Sequence, residues 1–162
     1  MTPLRQRMIR EMELRRFSPT TIDSYLRAVA DLAAHYRRSP DQLSLEEVRS
    51  YLHGLMVQRR LAPATCNLRA AAITFLYREV LGRAAFDLKI RRKQGGKLPE
   101  VYSQEELVRL FNAAVDLQQR VLLMTAYAAG LRLMEVRRLR ARHIHSQRML
   151  IRVAQGKGAK DR

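Results

Sequence analysis

Four times in the first 82 residues, apolar side chains recur every three or four positions behind a proline or a serine. That pattern restricts the chain to a small helical bundle, because each apolar stripe must be buried against another. The clearest case opens at Ser18-Pro19-Thr20. A serine hydroxyl can accept a first-turn N–H, and proline at the first helical position gives up a donor that would have no partner anyway. Behind it Ile22, Tyr25, Leu26, Val29, Leu32, Ala33 and Tyr36 share one face until Ser39-Pro40-Asp41 breaks the run. Ser44 and Glu47 form a capping box ahead of Val48, Tyr51, Leu52, Leu55 and Met56. A first helix over residues 3–17 carries a less regular stripe of Leu4, Met8, Met12 and Leu14. A fourth, over residues 63–80, has the widest apolar surface: Cys66, Ala70, Ile73, Phe75, Leu76, Tyr77 and Val80. It is expected at the centre of the bundle, with Gly82 as its stop.

Periodicity then lapses. Lys89-Ile90-Arg91-Arg92-Lys93-Gln94-Gly95-Gly96-Lys97 is basic and glycine-containing, so residues 83–102 read as a linker between a domain over 1–82 and another over 103–162. Helices resume at a second capping box, Ser103 with Glu106, with Leu107, Leu110 and Phe111 facing inward. A sixth helix over 118–129 ends at Gly130. A seventh over 133–140 puts Leu133, Val136 and Leu139 on one face and Arg137, Arg138 and Arg140 on others. Residues 149–153, Met-Leu-Ile-Arg-Val, read as a strand, followed by a tight basic turn at Gly156-Lys157-Gly158. That strand is expected to lack a sequence-adjacent partner. A lone strand is unstable, so the expectation is a C-terminally truncated chain whose exposed apolar surface favours aggregation.

Charge narrows the function. Thirty-one Lys and Arg against fifteen Asp and Glu give +16, an excess that suits a polyanionic partner. Residues 131–162 hold ten basic and two acidic side chains, a balance of +8, whereas residues 102–130 hold two and three. A basic face therefore adjoins a nearly neutral apolar segment. The longest apolar run, near residues 121–131, is interrupted by Thr125 and Tyr127 and is too short to span a bilayer. No helix combines a basic face with an exposed aromatic one, so membrane binding is not expected. The N-terminus has no secretory pattern, and the single cysteine, Cys66, excludes an internal disulfide and suits a cytoplasmic location. Cys66 is expected to be a small buried hydrophobe.

Several local patterns also fall in one order. These are Ser18-Pro19-Thr20-Thr21-Ile22 with Tyr25, Ala62-Pro63-Ala64-Thr65-Cys66-Asn67, and Leu98-Pro99 with Tyr102-Ser103 and Glu105-Glu106-Leu107. Next come Tyr127-Ala128-Ala129-Gly130-Leu131-Arg132-Leu133-Met134-Glu135-Val136 and then Gly156-Lys157-Gly158-Ala159-Lys160. In this order and spacing the whole chain resembles the tyrosine recombinases of the phage-integrase family. The resemblance implies a mainly α protein. Its parts are an N-terminal four-helix SAM-like core-binding domain, then the first helices and an incomplete β-hairpin of the integrase catalytic domain. It implies a clamp on double-stranded DNA, with no metal and no small-molecule cofactor, and relatives that assemble as tetramers on paired DNA sites.

By position, Arg132 resembles the family's first catalytic arginine, Glu135 the acidic residue that orients it, and Lys157 the hairpin lysine that acts as general acid toward the 5′ leaving oxygen. A guanidinium suits the first role because it donates two parallel hydrogen bonds to the non-bridging oxygens of a phosphate. The resemblance further implies major-groove contacts near the starts of the second and fourth helices, at Thr20, Thr21, Arg27, Asn67 and Arg69. Backbone contacts are implied at Arg91, Arg92, Lys93, Lys160 and Arg162. His143 stands where the family usually has Asp, and it and His145 are expected to be loop histidines. The six tyrosines are residues 25, 36, 51, 77, 102 and 127. All but Tyr102 fall on apparent core stripes, and none lies in the family's nucleophile context. The chain is therefore expected to bind DNA without cleaving it, as a fragment of a recombinase. The alternatives are a stand-alone binder or decayed remnant that occupies recombination sites, and a helical adaptor for another protein.

Overall fold

Capping decides where the helices begin. Thr2 accepts the Arg5 N–H at 3.4 Å and opens α1 (Pro3–Leu14). Ser18 accepts the Thr21 N–H at 3.3 Å and opens α2 (Pro19–Tyr36). In α3 (Leu45–Val57) the Ser44 hydroxyl accepts from the Glu47 N–H at 3.2 Å, and the Glu47 carboxylate accepts from the Ser44 N–H at 2.8 Å. α4 (Pro63–Phe75) starts on its proline and runs into a π-helical turn, Leu76–Val80, before Gly82 reverses the chain at φ +69°. The computed structural model describes residues 2–84, 86, 88, 100–154 and 161, and the chain divides into two compact units, residues 1–96 and 97–162.

In the first unit α4 and its π turn sit in the core. Ile73, Leu76 and Tyr77 are fully buried in one cluster with Met8 and Met12 of α1, Leu32 of α2 and Val48 and Leu52 of α3. Burying each such large side chain contributes about 1.5–3 kcal/mol relative to exposure. The ring of Tyr77 stacks on Phe86 at 3.6 Å, and its phenol donates to the carbonyl of Pro40. Burial pushes that phenol up to about 12. Cys66 is buried, as expected of a small hydrophobe.

The expected first helix is too long. α1 stops at Leu14 because Arg16 turns left-handed (φ 55°), its N–H bonding Glu13 C=O at 2.8 Å and the Phe17 N–H bonding Met12 C=O at 3.0 Å. The turn delivers Phe17 to an aromatic cluster with Tyr25 and Phe75. It leaves Leu14, expected in the stripe, 72% exposed. Met56 of α3 is likewise at the surface.

In the second unit α5 (Gln104–Asn112) is opened by Ser103 and Glu106 with the same 3.2 and 2.8 Å bonds as α3. Asp116 accepts the Gln119 N–H at 2.7 Å and opens α6 (Leu117–Ala128). Gly130 (φ +57°) separates it from the short α7 (Leu133–Arg138). The strand expected over 149–153 is shorter and does have a partner. β1 (Ile144–His145) and β2 (Leu150–Ile151) pair antiparallel, with Ile144 opposite Ile151. The partner precedes the strand. A left-handed Met149 (φ 49°) closes the link, and the Arg152 N–H bonds His143 C=O at 2.8 Å.

Few apolar side chains of this unit are covered. Among its described residues only Leu107 and Val153 are buried, whereas Leu110, Tyr127 and Leu133, all expected on inward stripes, are exposed. Helical spacing puts these residues on one face, but burial requires a second surface to cover that face. Among the described residues no helix is long and apolar enough to cross a membrane.

Candidate nucleic-acid interface

The turn between α6 and α7 positions the central arginine. The Gly130 N–H bonds Tyr127 C=O at 3.2 Å and the Leu131 N–H bonds Ala126 C=O at 2.9 Å, closing α6. A β-carbon on Gly130 would meet nothing within 4 Å, so the requirement for glycine comes from its positive φ rather than from space. Arg132 then sits in extended backbone as the residue before α7. One oxygen of Glu135 accepts the Arg132 backbone N–H at 2.8 Å, and the other accepts from Arg132 Nη1 at 3.0 Å. The Glu135 side chain is 7% exposed and that of Arg132 is 60% exposed. A nearly buried carboxylate therefore fixes the root and one edge of an outward guanidinium. The remaining donors of that guanidinium face solvent in a constrained direction, which suits an anion such as a phosphate.

The groove residues inferred for the first unit divide by environment. Thr20 is exposed in the first turn of α2. Thr21 is half-buried, with its hydroxyl 2.8 Å from that of Ser18. Arg27 is exposed and pairs with Asp23 at 2.9 Å. Asn67 lines an open groove of about 490 Å³ between α2 and the α4–π segment, together with Tyr25, Thr74, Arg78 and Glu79. Arg69 turns inward. It pairs with Asp31 at 2.6 Å and donates to the Tyr51 hydroxyl at 3.1 Å, joining α2, α3 and α4. Burial opposes its charge, but the bonds to Asp31 and Tyr51 outweigh that and raise its pKa. Burial also pushes the Tyr51 phenol up. The Arg69 guanidinium is thus engaged within the unit. Arg91, Arg92, Lys93, Lys157, Lys160 and Arg162 lie outside the described residues.

The structure also gathers three arginines expected on the other faces of the seventh helix, Arg137, Arg138 and Arg140, with Arg142 and the expected loop histidine His143. Arg137, Arg138, Arg140, Arg142 and His143 line a concavity of about 730 Å³ together with Asp161. The available signal was four arginines within six positions, 137–142. Helical spacing spreads Arg137, Arg138 and Arg140 around the expected helix over 133–140, with Arg142 beyond it. The helix ends at Arg138, however, and the 3-10 turn Ala141–His143 folds the rest back onto the same hollow. His143 is half-buried there, and His145 is exposed on β1.

Two family profiles match the chain: the phage integrase N-terminal SAM-like domain over residues 4–86, and the phage integrase family over residues 100–162. A protein of Sinorhizobium fredii named as an integrase/recombinase, y4qK, is 41% identical over 164 residues, covering 100% of this chain and 53% of that protein. An integrase/recombinase of Escherichia coli is 30% identical over 149 residues, covering 90% of this chain and 44% of that protein. The tyrosine recombinase XerC of Lactobacillus delbrueckii is 28% identical over 163 residues, covering 91% and 54%. The chain thus spans about half the length of the curated relatives it matches. A crystal structure of XerA recombinase superposes with a TM-score of 0.44 at 24% identity, covering 98% of this chain and 57% of that one. One profile accounts for the helical bundle and the other for the unit that carries Arg132 and Glu135, so the chain belongs to the phage integrase family, the tyrosine recombinases.

Proposed function

We propose that this chain binds double-stranded DNA as the front portion of a site-specific recombinase acting in the cytoplasm, with Arg132 against a backbone phosphate at the point of strand exchange. The observation that carries this reading is the pairing of an exposed guanidinium with a nearly buried carboxylate that holds its backbone and one edge. The ordering cost of the arginine is met before DNA arrives, and the outward donors are left for non-bridging oxygens. Glu135 is a positioning residue. Lys157 is assigned the proton delivered to the leaving oxygen, and Arg91, Arg92, Lys93, Lys160 and Arg162 are assigned the backbone. Thr20, Thr21, Arg27 and Asn67 are assigned the major groove. Residues 1–82 and 103–162 are the two DNA-gripping domains in this reading, with 83–102 between them.

Strand transfer in this family uses a tyrosine nucleophile. The phenols of Tyr36 and Tyr77 donate to the carbonyls of Glu47 and Pro40, and that of Tyr51 accepts from Arg69. In this reading these 162 residues hold DNA, and none of their six tyrosines is assigned the nucleophile's role.

Fluorescence anisotropy on a labelled duplex of about 30 base pairs, repeated across a salt series, tests the reading. Affinity is expected to fall steeply as salt rises, and Arg132→Ala is expected to lower the log–log slope by about one. Glu135→Gln is expected to weaken binding while keeping that slope. Binding that ignores salt would remove the DNA reading. A covalent adduct with a nicked duplex, seen on a denaturing gel, would remove the non-cleaving one.

A further inference from the structure

We propose that the concavity at the end of α7 is a second contact for the DNA phosphate backbone, separate from Arg132 and able to take two or more phosphates. The proposal rests on the DNA-binding reading above and deepens it.

The argument starts from ion pairing. In the first unit Arg15, Arg27, Arg38 and Arg69 each pair with a carboxylate. In the concavity Arg137, Arg138, Arg140 and Arg142 are all exposed, and among the described residues none of them makes an ion pair. Among the described residues the Arg137 guanidinium bonds the Met134 sulfur, at 3.7 Å. The one carboxylate among the lining residues, Asp161, accepts from Arg152 at 2.8 Å. Four like charges on one hollow repel one another, the single carboxylate Asp161 offsets them in part, and an anionic occupant offsets the remainder.

The hollow is held in shape by its backbone. The Leu139 N–H bonds Val136 C=O at 3.1 Å and the His143 N–H bonds Arg140 C=O at 2.8 Å, fixing the arginine roots on either side of a half-buried Leu139. The Arg152 N–H on His143 C=O, at 2.8 Å, ties the rim to the end of β2. A volume of about 730 Å³ is more than a single phosphate fills. Planar guanidinium forks match phosphate oxygens two at a time. A duplex presents a regular row of phosphates, about one charge per 1.7 Å of axis, whereas an acidic peptide would have to be ordered first.

The test uses the whole 162-residue chain, the same 30-base-pair duplex and a sodium chloride series. Three forms are compared with wild type: Arg137→Gln/Arg138→Gln/Arg142→Gln, the corresponding triple Lys variant, and Arg132→Gln. The triple Gln variant is expected to lower the salt slope by about two to three, and Arg132→Gln by about one. The triple Lys variant is expected to restore the slope, which a packing role would not produce. A wild-type chain that binds DNA, with a triple Gln variant of unchanged slope and affinity, overturns this proposal and leaves the DNA reading standing. Equal losses in the Gln and Lys variants, or competition by polyglutamate as strong as by unlabelled duplex, also overturn it. Absence of salt-dependent binding by wild type removes both.

Discussion

The two units start their helices in the same way and end in opposite conditions. Ser44 with Glu47 and Ser103 with Glu106 make the same pair of bonds, at 3.2 and 2.8 Å. Behind the first box Val48, Tyr51, Leu52 and Leu55 are all buried. Behind the second only Leu107 is. The apolar period is present in both stretches of sequence, so the difference lies in what packs against them. In the first unit the wide apolar surface of α4 and its π turn gives the other three helices a common partner. In the second, α6 has no buried residue among those described, although Val121, Leu122, Leu123 and Met124 are consecutive. A helix can thus be fully specified at its ends while most of its apolar face stays exposed, because a cap is local and a core is not.

Core substitutions should break this comparison hardest. Tyr77→Ala removes a fully buried ring and its stack on Phe86, and should cost about 3–5 kcal/mol in urea unfolding. Leu133→Ala, at a side chain 76% exposed, should stay within about 0.5 kcal/mol. Equal costs would show that the second unit is packed after all. Next in size are the caps. Ser44→Ala should lower the stability of the first unit by about 1 kcal/mol. Ser103→Ala should raise amide exchange only in the first turn of α5, and a global loss of the same size would erase the contrast. A smaller effect, of opposite sign, is expected at the end of α1. Arg16→Gly relieves a left-handed backbone and should stabilise by about 0.5–1 kcal/mol, read as a raised urea midpoint.

The smallest effect concerns pH. The Glu47 carboxyl is held below its ordinary value by the bond from the Ser44 backbone N–H and then by Arg38. A depressed carboxyl contributes stability above its unfolded pKa and loses it as pH falls through the folded one. The first unit should therefore weaken below about pH 4.5, and Glu47→Gln should flatten that limb of the pH–stability curve. An unchanged limb would place the acid sensitivity elsewhere.

Much of this was legible beforehand. The cap at Ser18, both capping boxes, the stop at Gly82 and the reversal at Gly130 follow from local chemistry, and the structure shows each in place. Errors appeared where a distant partner decides the outcome. Leu14 and Leu110 have helical spacing and stay exposed. The strand around Leu150 is expected to need a following partner, whereas its pairing segment, Ile144–His145, precedes it, is two residues long and carries no strand pattern of its own. At the site, the resemblance implies that Glu135 orients Arg132, and the geometry has both Glu135 oxygens bonded to Arg132. Nothing in the spacing distinguished Arg69, locked between Asp31 and Tyr51, from an arginine that faces solvent.

The amino-acid order alone determined where each helix starts, that the first unit is a bundle centred on its fourth helix, and that the chain carries a large positive charge. The helix starts depend on neighbours within about one turn, the charge on simple counting, and the central helix on the width of one apolar stripe. Which cations are quenched by carboxylates and which gather in one hollow was decided only by the folded chain. Such pairing depends on distances between residues far apart in sequence, as between Arg69 and Asp31, or on where a helix ends, as for Arg138 and Arg142.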